Sequence, residues 1–451
     1  MTILIFLSAL IGAVALGIPI AYSLLLSGVA LMVHLGNFDA QILAQNVLEG
    51  ANSFPLLAVP FFMLAGEIMN AGGLSRRIVD LAIAMVGHVR GGLGYVTIIA
   101  ACLMASLSGS AVADTAALTA LLLPMMVRAG HQKARSGGLI ASAGIIAPII
   151  PPSIPFVVFG VTANVSIGKL FMAGIVPGLM MGTACAIAWW LTARSEAVVT
   201  PPQASRADVV KALRESAWAL VLPFIVLVGL KFGVFTPTEA AVVAAVYAFF
   251  VATVVYRELS FKQLFEVFAA SAKTTSIIMF MVAAASVSAW LIAVADLPGQ
   301  LISILQPFMQ SPTTLLILLM IVLLLVGMVM DLTPTILILA PVMVPVVKAA
   351  GIDPVYFGVL FVLVGVIGLV TPPVGTVLNV VAGVGHMKMD KVARGVIPFL
   401  IADLIVLCAA GAIPVHRAGT AEVLLQLIFL GLRRCWARRR FDPFNGVPIA
   451  T

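Results

Sequence analysis

Apolar residues run in long blocks along this chain, with no strand-like alternation. Such blocks fall near 3–16, 20–35, 54–70, 92–127, 138–163, 170–193, 217–235, 238–256, 274–295, 313–350, 355–384 and 396–413. A helix that crosses a bilayer needs about 20 apolar residues, so the pattern predicts an all-α polytopic membrane protein. A β-barrel would alternate polar and apolar positions over strands of about ten residues; the run near 313–329 excludes that. A polar stretch at 194–216, with Thr200-Pro201-Pro202 and mixed charges, predicts a water-exposed linker leading into a short surface helix. Residues 1–16 lack a basic leader and an A-x-A site, which predicts an uncleaved span.

The two halves of the chain resemble each other. With a shift of 221 residues and no gaps, 130–177 aligns with 351–398. Gly130, Gly137, Gly144, Pro151, Pro152, Gly174 and Pro177 then meet Gly351, Gly358, Gly365, Pro372, Pro373, Gly395 and Pro398. Seven glycine or proline coincidences exceed chance several-fold and define an internal repeat. Upstream the spacing also holds: Asp114 and Pro124 are ten apart, as are Asp331 and Pro341.

Each half has the same order of parts. A long apolar stretch is interrupted at its middle, by Ser106-Leu107-Ser108-Gly109-Ser110 within 91–130 and by Asp331-Leu332-Thr333-Pro334-Thr335 within 311–351. This predicts re-entrant helical hairpins. A second stretch is broken by proline: Pro148, Pro151, Pro152 and Pro155 around Ser153 in 138–163, and Thr371-Pro372-Pro373 with Gly375 in 355–384. Proline removes a backbone donor and ends a helix, and irregular backbone at membrane depth survives only inside protein or beside a wet cavity. Half-helices that stop there aim their N-terminal ends at anions and leave carbonyls for cations. The pattern predicts a secondary transporter with a central anion and cation site.

Composition agrees. Hydrophobic residues make up 62% of 451 and charged residues only 10%, against roughly 25% charged in soluble chains. With the linker placed in the cytoplasm and the spans counted outward, fifteen Lys and Arg fall on one side and Lys169, Lys231 and Lys348 on the other. That is the positive-inside bias. The count puts the first hairpin's entry on the cytoplasmic side and the second's outside, so the repeats have inverted topology.

The net charge of +7 therefore reads as loop charge, not a nucleic-acid footprint. The tail from 415 to 451 carries six arginines against Glu422 and Asp442 and leaves only +3 for the body. This atypical basic tail, 414–451, falls outside by the count, against the bias. It is read either as a surface segment around 422–432 or as the product of a shifted frame. Cys102, Cys185, Cys408 and Cys435 form no CxxC pair and read as small core residues.

The chain resembles the large membrane subunit of TRAP (tripartite ATP-independent periplasmic) transporters, of DctM type. The motifs are Leu64-Ala65-Gly66-Glu67-Ile68-Met69, the run from Met104 through Ser106-Leu107-Ser108-Gly109-Ser110 to Asp114, and Pro148-Ile149-Ile150-Pro151-Pro152-Ser153-Ile154-Pro155. Residues 327–331 with Thr333-Pro334-Thr335, and Gly368-Leu369-Val370-Thr371-Pro372-Pro373-Val374-Gly375, continue it. The resemblance covers about 3–413.

The resemblance implies Na⁺-driven import of small organic anions, C4-dicarboxylates or sugar acids, across the bacterial inner membrane. A periplasmic substrate-binding protein and a separate small four-helix membrane subunit are the implied partners, since no four-span block precedes Met1 or fills the linker. It also implies an elevator. Scaffold spans and an arm helix occupy 1–90 and 217–310. The transport domain comprises 91–193 (hairpin 91–130, broken helix 138–163) and 311–413 (hairpin 311–351, broken helix 355–384), and the cytoplasmic linker is 194–216. The alternative is a stand-alone Na⁺-coupled anion or dicarboxylate symporter of similar elevator fold.

On this reading the Na⁺ ligands, hydroxyls and carbonyls suited to a hard cation, come from Ser106, Ser108, Gly109, Ser110, Pro151, Pro152, Gly327, Asp331, Thr333, Thr371, Pro372 and Gly375. Small-residue helix packing is the other reading of the serine tip. Substrate contacts fall to Ser153, Asn164, Pro334, Thr335 and Asn379, of which the asparagines serve equally well as caps. Asp114 and Asp331 read as hairpin caps or as intramembrane site carboxylates. Glu67 reads as structural, with Arg76 or Arg77 as partner across a turn; Trp189-Trp190 reads as an interfacial pair; Asp403 has no evident partner. No HExxH, GxSxG or Walker A pattern occurs, so no enzyme, ATP-driven pump or transition-metal site is expected, and no cofactor beyond the coupling ion.

Overall fold

The computed structural model describes residues 2–411, apart from residues 37, 195, 197 and 199–201. The basic tail at 414–451, with Cys435, and the Thr200-Pro201 pair lie outside the described residues. Among the described residues every regular element is helical. The chain opens with α1 (Thr2–Ala15), α2 (Ile20–His34), α3 (Ala40–Ala51), α4 (Ala58–Ala71) and α5 (Leu74–Val86). Next come α6 (Gly92–Ser108), α7 (Ala111–Arg128), α8 (Lys133–Gly144), α9 (Ile154–Thr162) and α10 (Ile167–Ala193). The second half holds α11 (Arg206–Lys231), α12 (Pro237–Phe250), α13 (Phe261–Val294) and α14 (Leu297–Met309). It ends with α15 (Pro312–Gly327), α16 (Leu332–Ala349), α17 (Pro354–Gly368), α18 (Thr376–Val384) and α19 (Met389–Gly411). Among the described residues eight helical stretches are long and apolar enough to cross a membrane, while α6, α15 and α17 are shorter apolar helices. The chain is a multi-pass membrane protein.

Local capping sets boundaries that hydropathy misses. Ser205, Thr236 and Ser260 form reciprocal boxes with Asp208, Glu239 and Gln263, each satisfying otherwise free end groups. α11 therefore starts at Arg206 and runs unbroken into its apolar part, so residues 206–216 are its first turns, not a separate surface helix. α13 likewise begins well before the apolar block near 274. Its 34 residues span about 51 Å, more than the ~30 Å hydrocarbon core. Helices α3, α5 and α14 fall outside the apolar blocks; α3 is started by Asp39, whose carboxylate accepts from the amides of Gln41 and Ile42.

Packing interlaces the two halves. Helix α4 lies on α12 and α13, α13 on α2 and α3, and α11 on α5 and α12. Separately, α8 packs on α7 and α19, α10 on α6, α17 and α19, and α15 on α17. Between the two halves of the chain, α9 rests against α16 and α18 against α7. Each short helix that follows a proline break is thus held by the other half.

Several side chains differ from their sequence reading. Trp189 is fully buried and donates to Gly91 O at 2.8 Å, so only Trp190, 55% exposed, suits an interface. Next to Trp189, His131 Nδ1 lies 2.7 Å from Glu196 Oε2, and Arg135 donates to Glu196 Oε1 at 2.6 Å, tying the α7–α8 corner to the end of α10. Glu67 does not take Arg77, which donates to Glu258 Oε1 at 2.5 Å and stacks over Tyr256. The arginine reaches a charge distant in sequence because the turn before α5, at Gly72 and Gly73, lies against Ala252 and Glu258 in the segment after α12. Cys185 is core and Cys102 half-buried, whereas Cys408 is exposed.

Candidate functional site at the broken helices

The first locus is built from the α6–α7 junction and the segment 145–153 between α8 and α9. Gly109 turns the chain at φ +60°, and a Cβ there would lie 2.7 Å from Pro152 O. Only glycine lets the tip approach the break so closely. Ser108 donates to Asp114 Oδ1 at 2.5 Å and accepts from Ser110 N at 3.1 Å. Ser110, not Asp114, is the N-cap of α7: its hydroxyl accepts from Ala113 N. Asp114 stands one turn inside the helix, too far along to cap it. It is buried, and its Oδ2 has no partner among the described residues. Ser106 spends its hydroxyl on Leu103 O at 2.6 Å, one turn back in α6.

Pro151, Pro152 and Ser153 are all buried, and the Pro151–Pro152 bond is cis. Ser153 caps α9 by accepting from Phe156 N, and donates to Pro148 O across the break. The structure does not bring Asn164 here. It sits exposed beyond the far end of α9, at φ +52°, and nine helical residues separate it from the break by about 13 Å. Thr115 is a residue the sequence reading passed over. Its Oγ1 is buried and unpartnered, and it fills the space above Gly144. The signal available was its place next to Asp114, mirrored by Leu332 next to Asp331.

The second locus joins the α15–α16 junction to segment 369–375. Gly327 and Gly368 touch backbone to backbone: a Cβ on Gly368 would lie 2.6 Å from Gly327 C. Gly375, at φ +51°, donates its N–H to Met328 O at 3.3 Å. Pro372–Pro373 is cis, and both prolines and Val374 are exposed. Asp331, an exposed residue, holds the N-cap position of α16, yet its side chain takes no capping hydrogen bond. Thr335 is buried and donates to Asp331 O at 2.8 Å; Thr371 donates to Ile367 O at 2.7 Å. Thr333 is half-buried and Pro334 buried. Asn379 stays with the break, donating to Val374 O at 3.1 Å.

Each tip therefore meets its own break, and cross-packing of α9 on α16 and α18 on α7 brings the halves together. The donor set is hydroxyl, carboxylate and turn carbonyl, which fits a hard cation. A separate cavity of about 310 Å³ opens between α3 and α13 on one side and α9 and α16 on the other, with Asn46, Glu49, Ser53, Thr162 and Ser286 in its wall.

An all-helical multi-pass chain with two proline-broken helices, each docked on a glycine or hydroxyl-lined tip, is built as a membrane carrier. The sequence matches the family described as tripartite ATP-independent periplasmic transporter, DctM component, over residues 7–415. It belongs to that family, whose members are transporter permeases and not enzymes. It is 57% identical over 401 residues to the Escherichia coli 2,3-diketo-L-gulonate TRAP transporter large permease protein YiaN, covering 89% of this chain and 94% of that one. It is 38% identical to the Pseudomonas aeruginosa C4-dicarboxylate TRAP transporter large permease protein DctM, covering 87% and 92%. The fold is similar to that in a crystal structure of the Alcanivorax borkumensis YdaH transporter, with TM-score 0.62 and 14% identity over 83% of this chain and 89% of that chain.

Proposed function

We propose that the chain is the large subunit of a Na⁺-coupled TRAP transporter that imports a small organic anion across the bacterial inner membrane. The anion is of sugar-acid or C4-dicarboxylate type, the chemistry named for the relatives at 57% and 38% identity. A periplasmic binding protein delivers it, and a small four-helix membrane subunit completes the permease. Two inverted repeats form an elevator: 91–193 and 311–413 move, while 1–90 and 217–310 form the scaffold.

One observation carries the reading. Both tips dock on proline breaks, and each break leaves backbone groups that neither helix nor sheet uses. Na⁺ travels as cargo, held by the carbonyls and hydroxyls at Ser108–Ser110 with Pro151–Pro152, and at Gly327–Thr333 with Thr371–Gly375. The cavity between α3/α13 and α9/α16, with Asn46, Glu49, Ser53, Thr162 and Ser286 in its wall, supports a boundary between scaffold and moving body there.

Uptake into proteoliposomes, with Na⁺ and the binding protein varied independently, tests both claims. The expected result is transport that needs both. Full uptake without a binding protein overturns the tripartite reading in favour of a stand-alone symporter. Replacing Ser108 or Thr371 with leucine should weaken Na⁺-dependent uptake more than folding; unchanged Na⁺ dependence in the inserted variants counts against these sites.

A further inference from the structure

Asp403 lies in α19 with no exposure to solvent, outside both tip sites. Its two neighbours are Ser142 of α8 and Cys185 of α10, both equally buried. Ser142 Oγ is 2.5 Å from Asp403 Oδ2 and 3.3 Å from Cys185 Sγ, and Cys185 Sγ is 3.7 Å from Asp403 Oδ1. The three groups close a triangle across three helices.

Among the described residues no cation answers this carboxyl. Ion pairs among the described residues join Arg77 to Glu258 and His131 and Arg135 to Glu196. Helix α19 packs on α8, α10, α17 and α18. Ionisable groups on those helices are Lys133, Arg135, Lys169, Cys185 and Tyr356; α18 has none. Helix α19 itself adds Asp390, Lys391, Arg394 and Cys408. Arg135, two turns from Ser142 and thus about 10 Å along the helix, is engaged by Glu196 and Thr192 O. Tyr356 donates to Ala410 O. A charged carboxylate without a cation, removed from water on every side, is strongly disfavoured against its neutral form.

Hydrogen-bond valence points the same way. If Asp403 were ionised, Ser142 and Cys185 would both donate to it, the thiol sulfur would receive nothing, and the charge would stay unpaired. With a proton on Oδ2, every group donates once and accepts once. The acid O–H donates to Ser142 Oγ, the Ser142 O–H to Cys185 Sγ, and the Cys185 S–H to Asp403 Oδ1. A 2.5 Å separation is within the range for such an O–H···O bond.

We propose that Asp403 is a proton-holding site: a carboxylic acid kept neutral within a closed Asp403–Ser142–Cys185 ring that joins α8, α10 and α19. Asp403 is a positioning residue, and its ligand is a proton rather than a metal cation, since the short Ser142 contact leaves no room for an ion between the oxygens. The site is independent of the coupling ion and of the substrate.

Infrared difference spectroscopy of the purified protein in nanodiscs at neutral pH tests this. The wild-type minus Asp403→Asn spectrum should contain the C=O stretch of a protonated carboxyl. Carboxylate bands in its place would overturn the proposal. If Asp403→Asn does not fold, Ser142→Ala supplies a second reading. Loss of the acid's acceptor should move the protonated C=O stretch to higher frequency, whereas a spectrum without that shift rules out the ring.

Discussion

The two breaks are made from the same parts and lodged in opposite surroundings. At the first, Pro151, Pro152 and Ser153 are buried, and α10 covers the segment, with Gly174 and Gly178 against Ile149 and Ile150. At the second, Pro372, Pro373 and Val374 are exposed, and Asn379 ties one carbonyl. The knobs beside them also differ. Thr115, with an unpartnered hydroxyl, fits over Gly144, while apolar Leu332 fits over Gly365. Asp114 is buried and Asp331 exposed. Irregular backbone does not face lipid, so the open break marks a surface that meets water or a partner. In the proposed elevator, equal parts in unequal cover correspond to a body resting at one end of its travel.

The largest expected effect breaks the second locus. Gly368→Val forces a branched side chain into backbone contact with Gly327, and overpacking there should cost about 3 kcal/mol, read as a lowered unfolding temperature in detergent. At the first locus Gly109→Ala should cost about 2 kcal/mol, because the tip is left-handed and close to Pro152 O.

Ser108→Ala separates the loci more sharply. It leaves the buried Asp114 carboxyl with neither oxygen paired, a loss of about 2 kcal/mol. Asp331→Ala, on an exposed and uncapped side chain, should change stability by under about 0.5 kcal/mol. Equal losses in the two variants would erase the distinction between buried and open breaks. Ser153→Ala removes a cap and should cost about 1 kcal/mol, measured by the same unfolding assay. Thr115→Val is the smallest: it removes an unpaired hydroxyl at nearly constant shape and should leave stability within about 0.5 kcal/mol. A fall in apparent Na⁺ affinity in that stable variant would assign the hydroxyl to cargo; unchanged affinity would leave it to packing.

Helix type and the paired breaks were legible because they rest on local rules: apolar run length, and what proline does to a helix; the starts of α11 and α13 and the whole of α3, α5 and α14 were not, because apolar run length does not mark them. Capping was legible only as a residue type. The sequence reading assigns the cap to Asp114 and Ser110 to the ion, and only backbone register shows that the serine occupies the N-cap position. Long-range pairings were not legible at all. Arg77 meets Glu258, and Asp403 meets Ser142 and Cys185, through helix contacts between residues more than 180 positions apart. Asn164 and Asn379 looked alike beside their breaks, yet they are not equivalent under the shift of 221. One falls past the end of α9 and the other stays within the first turns of α18.

A neutral Asp403 has an electrical consequence. A body that slides through the bilayer with a bare carboxylate carries an elementary charge through the membrane field, at about 2.3 kcal/mol for each 100 mV crossed. In the proposed elevator, the ring with Ser142 and Cys185 removes that term from the motion. Voltage then acts there only through the Na⁺ and anion proposed as cargo, and Asp403 adds no current of its own.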